Sequence, residues 1–332
     1  MKPSTAIAIA HPNIALIKYW GNRDDSLRLP ANGSISMNLE QLHTRTKVTW
    51  QAGRQLKHGD SQTLIINGNT ITGAGLQRVA EFLDLVRAMA GVAGDAVVET
   101  RNNFPAGAGI ASSASAFAAL ALAATRAAGL DLTEMELSRL ARRGSGSACR
   151  SIPDGFVEWK MGNGDADSYA VSLAPAQYWA LIDVIAIIST AHKPTGSTEG
   201  HALAGTSPLQ AARVADAPHR LELCRTAIRQ RDFAALAEVT ERDSMLMHAV
   251  MMTSTPGLFY RQEASLSVIK EVRKARTRGL AACTTVDAGP NVHVICEQEA
   301  APDVVHLVRD IPGVIETRMA KVGGATRLVK DH

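Results

Sequence analysis

Cysteine is scarce in this chain of 332 residues, and the few cysteines present are widely spaced. The four are Cys149, Cys224, Cys283 and Cys296, and none of them forms a C-x-x-C pair. Such spacing argues against a disulfide framework and against a cysteine zinc site. We therefore expect reduced thiols and a cytoplasmic protein.

Long apolar runs and an excess of charge of one sign are also missing. The apolar stretch 6–10 is cut off by His11-Pro12, well short of a signal sequence or a membrane span. The 35 basic and 32 acidic residues leave a net charge of +3, and the basic residues form no stripe. We therefore expect neither a membrane nor a nucleic acid as partner.

Aromatic residues make up only 4% of the chain, whereas 46% of it is hydrophobic. The core must then consist mainly of Ala, Leu, Ile and Val, a composition typical of helices packed on sheets. The length is enough for one large or two ordinary domains.

The pattern of apolar and turn residues predicts an α+β fold with two domains, residues 1–180 and 181–332. Strands are predicted at 6–20, 34–39, 46–51, 63–66, 96–100, 155–159, 179–188, 280–286, 292–296 and 314–318. Helices are predicted at 75–89, in an Ala/Leu-rich stretch ending at 128, and at 135–143, 208–223, 232–247, 262–278 and 303–309. Asn67-Gly68 predicts a hairpin turn, and the spacing of Thr133 and Glu136 predicts a capping box.

A glycine-rich loop at 104–115 opens the Ala/Leu-rich helix. Gly107 and Gly109 let the backbone approach a ligand, and Ser112 and Ser113 add hydroxyl donors at a helix N-terminus, where phosphate binds readily. The loop is neither a Walker A loop nor a complete Gly-x-Gly-x-x-Gly fingerprint. A glycine-rich helix start used only for close packing fits the same spacing, and the loop alone does not choose between the two.

Several stretches together resemble one family. The loop is similar to the phosphate loop of the GHMP kinase superfamily. The motifs NIALIKYWG (13–21), GSGSACR (144–150), GFVEW (155–159), STEG (197–200) and DAGPN (287–291) resemble the mevalonate diphosphate decarboxylase and phosphomevalonate decarboxylase branch. The motifs occur in order over essentially the whole chain.

The resemblance implies a ribosomal-S5-domain-2-like N-terminal domain, a ferredoxin-like C-terminal domain, and a cleft between them. It also implies ATP with Mg²⁺ as cofactors, and a homodimer. In that family the tertiary 3-hydroxyl of a 5-phosphorylated mevalonate is phosphorylated by ATP, and loss of phosphate and CO₂ follows.

The resemblance also assigns roles to individual residues. Asp287 matches the carboxylate that holds or removes the hydroxyl proton, Lys18 the lysine beside it, and Arg150 the arginine that binds the substrate carboxylate. On local sequence alone these would be a turn residue, a solvated strand end and a surface ion-pair partner. The substrate-binding residues are then Tyr19, Ser145, Ser147, Arg150 and His201, and the nucleotide-binding residues are Gly107, Gly109, Ser112, Ser113 and Lys193. No residue is assigned as a metal ligand.

Two departures from the family pattern bear on the substrate. Asn22 stands where family members that use the diphosphate usually have a second lysine, and His201 stands where a methionine is common. A missing charge-assisted hydrogen bond costs about 1.5–3 kcal/mol. We therefore predict mevalonate 5-phosphate as substrate and isopentenyl phosphate as product.

The alternatives are three. In the first, His201, Lys193 or Arg23 supplies the missing charge and mevalonate 5-diphosphate is decarboxylated to isopentenyl diphosphate. In the second, the enzyme is a 3-kinase without decarboxylation. In the third, the protein is a catalytically silent nucleotide-binding sensor.

Overall fold

In the computed structural model, which describes residues 4–51, 62–104, 112–191 and 195–331, helices pack on three larger sheets and one short hairpin. The predicted α+β class is confirmed. The strands are β1 (Ser4–Ala10), β2 (Asn13–Ile17), β3 (Asn22–Asp24), β4 (Leu29–Pro30), β5 (Ser34–Asn38), β6 (Thr44–Gln51), β7 (Gln62–Ile66), β8 (Asn69–Ile71), β9 (Asp95–Asn102), β10 (Phe156–Trp159), β11 (Ala170–Ala174), β12 (Leu181–Ile187), β13 (Ala282–Thr285), β14 (Val292–Glu297), β15 (Glu316–Lys321) and β16 (Arg327–Leu328). The helices are α1 (Ala74–Ala90), α2 (Ser112–Ala127), α3 (Glu134–Gly144), α4 (Ser197–Leu203), α5 (Gln210–Gln230), α6 (Phe233–Thr253), α7 (Glu263–Arg276) and α8 (Ala301–Arg309).

The first sheet has six strands in the order β16-β1-β6-β9-β7-β8, antiparallel except for the β7–β9 pair. Residues of β6 alternate between buried and half-buried, so one face of the sheet is closed off. Helix α2 packs on β1 and β6 and is buried on almost every side. Its alanines make this possible, because small side chains let helix and sheet approach closely.

The predicted single strand at 6–20 is wrong. The structure divides it into β1, in the six-stranded sheet, and β2, in a second sheet of order β11-β10-β5-β2. Pro12 lies at the break, where a residue without an N–H cannot continue the hydrogen-bond ladder. Because apolar residues continue on both sides of Pro12, the hydrophobic pattern did not reveal the change of sheet.

The third sheet is antiparallel with the order β13-β14-β12-β15. One face packs on α7 and α8 through residues such as Val184, Val268 and Val304. The other face joins β2, β5, α5 and α6 in a core that includes Ile14, Met37 and Ile185. This shared core brings the ends of β2 and β13 together.

The division into residues 1–180 and 181–332 is still a proposal, and one segment crosses it. Strand β16 pairs with β1, with Ala8 opposite Leu328, so the end of the chain completes the edge of the first sheet. Among the described residues, no helix has the length and apolar character needed to cross a membrane.

Candidate active site

A cleft with a volume of about 310 Å³ lies where the two halves of the chain meet. It is surrounded by residues from β2, the β3–β4 hairpin, α1, α2, the segment after α3, α4, α6 and the turn after β13. They are Ala15, Lys18, Tyr19, Trp20, Arg28, Arg78, Ser112, Ser113, Ser145, Gly146, Ser147, Arg150, Gly196, Ser197, Thr198, His201, Met247, Asp287 and Ala288. The structure therefore brings the described candidate residues of the sequence analysis into one cleft.

Lys18 and Asp287 form an ion pair in this cleft. The Lys18 Nζ atom lies 2.5 Å from Asp287 Oδ1, although the two residues are far apart in sequence. The Lys18 side chain is 1% exposed and that of Asp287 is 27% exposed. Asp287 is therefore accessible from the cleft, while its carboxylate is paired with the buried ammonium of Lys18.

The charges around Asp287 keep it ionised. Burial alone would raise the pKa of its carboxyl, but the charge and hydrogen bond of Lys18, with the charges of His293 and Arg150, lower it below its ordinary value. Burial also lowers the pKa of Lys18, and the nearby Asp287 opposes that shift. The pair thus offers an ionised base that remains available in mildly acidic solution.

Most of the residues that hold the backbone of Lys18 come from the second half of the chain. Its N–H donates to Asp243 Oδ2 at 2.6 Å, and its carbonyl accepts from Arg213 at 2.7 Å and from Asn32 at 3.0 Å. Asp243 in turn accepts from Arg220 Nε at 2.7 Å. These groups are all buried, so each needs such a partner, and together they fix the position of the lysine.

Arg150 lies in a 3-10 turn (Gly146–Ser151) that follows α3, and it is 3% exposed. Its guanidinium donates to Asn13 Oδ1 from Nε and Nη2, and to Ser34 Oγ from Nη1 at 2.6 Å. Both acceptors are neutral, and Arg150 forms no ion pair with any described residue. Such a charge at the wall of a cleft suits a carboxylate of a bound ligand.

Two glycines allow this turn to pass close to its neighbours. A Cβ at Gly146 would lie 2.6 Å from Tyr19 Cε1, and a Cβ at Gly144 would overlap the Phe117 ring. The tight approach places Ser145 and Ser147 along the cleft wall beside Tyr19. Ser145 Oγ lies 3.2 Å from Ser113 Oγ, so the turn and the start of α2 meet there.

His201 packs against two aromatic rings. It stacks on Tyr19 with ring centroids 4.1 Å apart and lies 4.6 Å from the Trp20 ring. Its Nδ1 accepts a hydrogen bond from the N–H of Gly21 at 2.9 Å, so the ring both fills space and holds the backbone just before β3. The Tyr19 hydroxyl donates to Asn22 Oδ1, and burial raises the pKa of Tyr19.

Three predicted nucleotide-binding residues, Gly107, Gly109 and Lys193, lie outside the described residues. Ser112 and Ser113 form the first turn of α2 and line the cleft. In the described ranges, no group of three or more His, Cys, Asp or Glu residues could hold a metal ion.

Sequence reasoning missed two cleft arginines, Arg28 and Arg78, and the buried Asp243. Arg28 comes from the β3–β4 turn and Arg78 from α1, elements whose sequences carry no recognised motif. Asp243 stands in the polar run Thr240-Glu241-Arg242-Asp243-Ser244, so the sequence carried no signal that singled it out. Arg23, considered as a source of charge, instead donates to the carbonyls of Met161 and Gly162 and does not line the cleft.

Comparison with known proteins gives a consistent result. Residues 10–170 match the family model of the diphosphomevalonate decarboxylase-like N-terminal domain, and residues 183–327 match that of the mevalonate 5-diphosphate decarboxylase C-terminal domain. A diphosphomevalonate decarboxylase from Candida albicans is 37% identical over 347 residues, which cover 98% of this chain and 95% of the relative.

Solved structures agree. The mevalonate diphosphate decarboxylase of Staphylococcus aureus is similar with a TM-score of 0.92 and 35% identity, over 99% of this chain and 98% of that one. A complex described as MDDEF with MVAPP, AMPPCP and magnesium is similar with a TM-score of 0.91 and 36% identity, over 99% and 100% of the two chains.

Proposed function

The chain belongs to the diphosphomevalonate decarboxylase family, with the GHMP kinase fold, and we propose that it decarboxylates mevalonate 5-diphosphate to isopentenyl diphosphate with ATP and Mg²⁺. One observation of this structure supports the proposal above the others: Asp287, Lys18 and Arg150, from three separate parts of the chain, line one cleft. A base, its supporting cation and a carboxylate-binding guanidinium are the groups that this reaction needs.

The proposed first step is transfer of a phosphoryl group to the substrate. The 3-hydroxyl oxygen attacks the γ-phosphorus of ATP, the bond to the leaving ADP breaks, and the hydroxyl proton passes to Asp287 Oδ. Lys18 keeps that carboxylate ionised beforehand. Because a tertiary alcohol is a poor nucleophile, holding it against an ionised carboxylate is the main contribution of these residues.

The proposed second step releases phosphate and CO₂. The C3–O bond breaks with its electrons leaving on phosphate, and the electrons of the C1–C2 bond form the new C2–C3 double bond. Arg150 orients the C1 carboxylate so that the bond that breaks is aligned with the leaving phosphate. Its anchoring by Asn13 and Ser34 makes that orientation rigid.

ATP and Mg²⁺ suit the start of α2. The Ser112 and Ser113 hydroxyls and the helix N-terminus would hold nucleotide phosphates, and Mg²⁺ is commonly bound through such phosphates with few protein ligands. A bound Mg²⁺ neutralises the phosphate charge during transfer. The complex with AMPPCP and magnesium supports both cofactors for this chain. A homodimer remains part of the proposal.

The sequence-based preference for mevalonate 5-phosphate is not supported by the comparisons, because the family models and relatives carry diphosphomevalonate in their names. One observation keeps mevalonate 5-phosphate as the second candidate substrate. Asn22 is neutral, and its side chain is engaged with Tyr19 and Asp25.

The test is a paired assay of purified protein with ATP, Mg²⁺ and each substrate at equal concentration, following ADP and CO₂. We expect equal amounts of ADP and CO₂, with the diphosphate preferred. A preference for the monophosphate would identify mevalonate 5-phosphate as the substrate. ADP without CO₂ would indicate a kinase, and the absence of both products a non-enzymatic role.

A further inference from the structure

Two arginines face the cleft side by side without a carboxylate partner. Arg28 and Arg78 both line the cleft, and neither forms an ion pair with any described residue. Both residues are half-buried, and a guanidinium that is partly withdrawn from water is stabilised by an anionic partner. Two unpaired ones at one wall therefore suit an anion that occupies the cleft.

The backbone of two consecutive residues holds both arginines in place. Arg28 Nε donates to the carbonyl of Arg143 at 3.0 Å, and Arg78 donates from Nε and Nη2 to the carbonyl of Gly144. These carbonyls end α3, so they carry the partial negative charge of a helix C-terminus.

Capping the C-terminus of α3 does not account for all the hydrogen-bond donors of Arg28. Arg28 uses only one of five N–H groups in this way. The remaining donors lie at the cleft wall, where a phosphoryl oxygen could accept them.

The electrostatics agree with this geometry. Burial and, to a lesser extent, the charge of Arg28 together lower the pKa of Arg78 to about 10. The same Arg28 charge acts on Tyr19, where it opposes the upward pKa shift due to burial. Arg28, Arg78 and Tyr19 all line the same cleft. The repulsion between the two arginines would be relieved by a bound anion.

We propose that Arg28 binds the 5-phosphoryl end of the substrate and determines how strongly that end is held. The inference rests on the proposed function in one respect only, that the substrate is a 5-phosphorylated mevalonate. Arg28 lines the cleft with Tyr19 and contacts the C-terminal end of α3, whereas Arg150 and Asp287 are assigned to the carboxylate and hydroxyl end. A substrate lying between these groups would have its phosphate at Arg28.

The test is the Arg28→Gln variant, which removes the charge and adds no new backbone strain, because Gln meets the same φ of 50° as Arg. We expect KM for the phosphorylated mevalonate that the wild type turns over to rise about 10- to 100-fold, the loss of one charge-assisted contact. The kcat value and KM for ATP should change by less than about threefold. An unchanged KM for the substrate, or an equal rise in KM for ATP, would overturn the proposal.

Two further variants sharpen the test. Arg23→Gln is the matched control, because it removes the same charge from the same hairpin but outside the cleft, and its KM should be that of the wild type. Asn22→Lys in the Arg28→Gln background should recover at least half of the lost affinity on a logarithmic scale, because Asn22 belongs to the same hairpin as Arg28 and accepts from the hydroxyl of Tyr19, which lines the cleft. No recovery, together with a loss in Arg23→Gln, would mean that the charge acts at long range and that Arg28 makes no contact.

If the wild type shows no decarboxylation, the proposed function fails, yet Arg28 can still be tested. Calorimetric titration with inorganic pyrophosphate should then show weaker binding to Arg28→Gln than to the wild type and to Arg23→Gln. Equal binding to all three proteins would contradict the role of Arg28 independently of the reaction.

Discussion

The backbone N–H of Lys18 donates to the Asp243 carboxylate at 2.6 Å, and this bond joins the end of β2 to helix α6. Asp243 is fully buried, and its other oxygen accepts from the equally buried Arg220. A lysine whose side chain must meet Asp287 is therefore positioned by a charge network from the other half of the chain. Stability and site geometry are coupled through this contact.

The first prediction concerns that network. Asp243→Asn removes the charge that Arg220 faces, so we expect the free energy of unfolding to fall by about 3 kcal/mol. Asp216→Asn is the matched control: it contacts the same Arg220, but its side chain is 40% exposed, and we expect a loss of at most about 1 kcal/mol. Urea unfolding of both variants measures the difference, and equal losses would contradict the role given to Asp243.

The second prediction concerns the base. Asp287→Asn cannot accept the hydroxyl proton, so we expect kcat to fall by about 10²- to 10⁴-fold, with ADP and CO₂ formation lost together. Nucleotide binding should change little, whereas the thermal midpoint should fall, because the variant leaves the buried Lys18 ammonium without its carboxylate partner. Calorimetric titration with ATP checks the first point. A variant with near-normal turnover would exclude Asp287 as the base.

The third prediction concerns pH. Ionised Asp287 is present above its pKa, and Lys18 lowers that pKa against the opposing effect of burial. Lys18→Met removes the lowering charge, so the pKa of Asp287 should rise and the acidic limb of the residual kcat/KM profile should move to higher pH. In the wild type that limb should lie at or below the ordinary pKa of an aspartate. An acidic limb at the same pH in both proteins would show that Lys18 does not act on Asp287.

The fourth prediction concerns the turn after α3. In Gly146→Ala the added Cβ would meet the Tyr19 ring, so the ring or the turn, both of which line the cleft, must shift. We expect KM for the phosphorylated mevalonate to rise at least about tenfold, in line with the cost of displacing positioned groups. Gly205→Ala is the control, since no atom lies within 4 Å of its added Cβ, and its KM should be unchanged. Similar kinetics for the two variants would mean that the contact with Tyr19 does not shape the cleft.

Local signals in the sequence predicted local structure well. Thr133 and Glu136 form the capping box that their spacing indicated, and Asn67-Gly68 forms the hairpin turn with φ of 51° and 85°. Both depend on residues within four positions of one another, so no distant contact could override them. Helix α5, in contrast, runs to Gln230, beyond the predicted end at residue 223. Packing against α6 stabilises the added turns, and propensity alone does not report such packing.

The sequence by itself determined the α+β class, the positions of most helices and strands, and the candidate residues Lys18, Arg150 and Asp287, because periodicity, turn residues and motifs are written in short stretches. Only the tertiary structure decided that Pro12 separates strands of two sheets, that Asp243 holds Lys18, and that Arg28 and Arg78 reach the same cleft. Those relationships join residues tens to hundreds of positions apart. Burial and electrostatic pairing act on distance in space, which a single sequence does not contain.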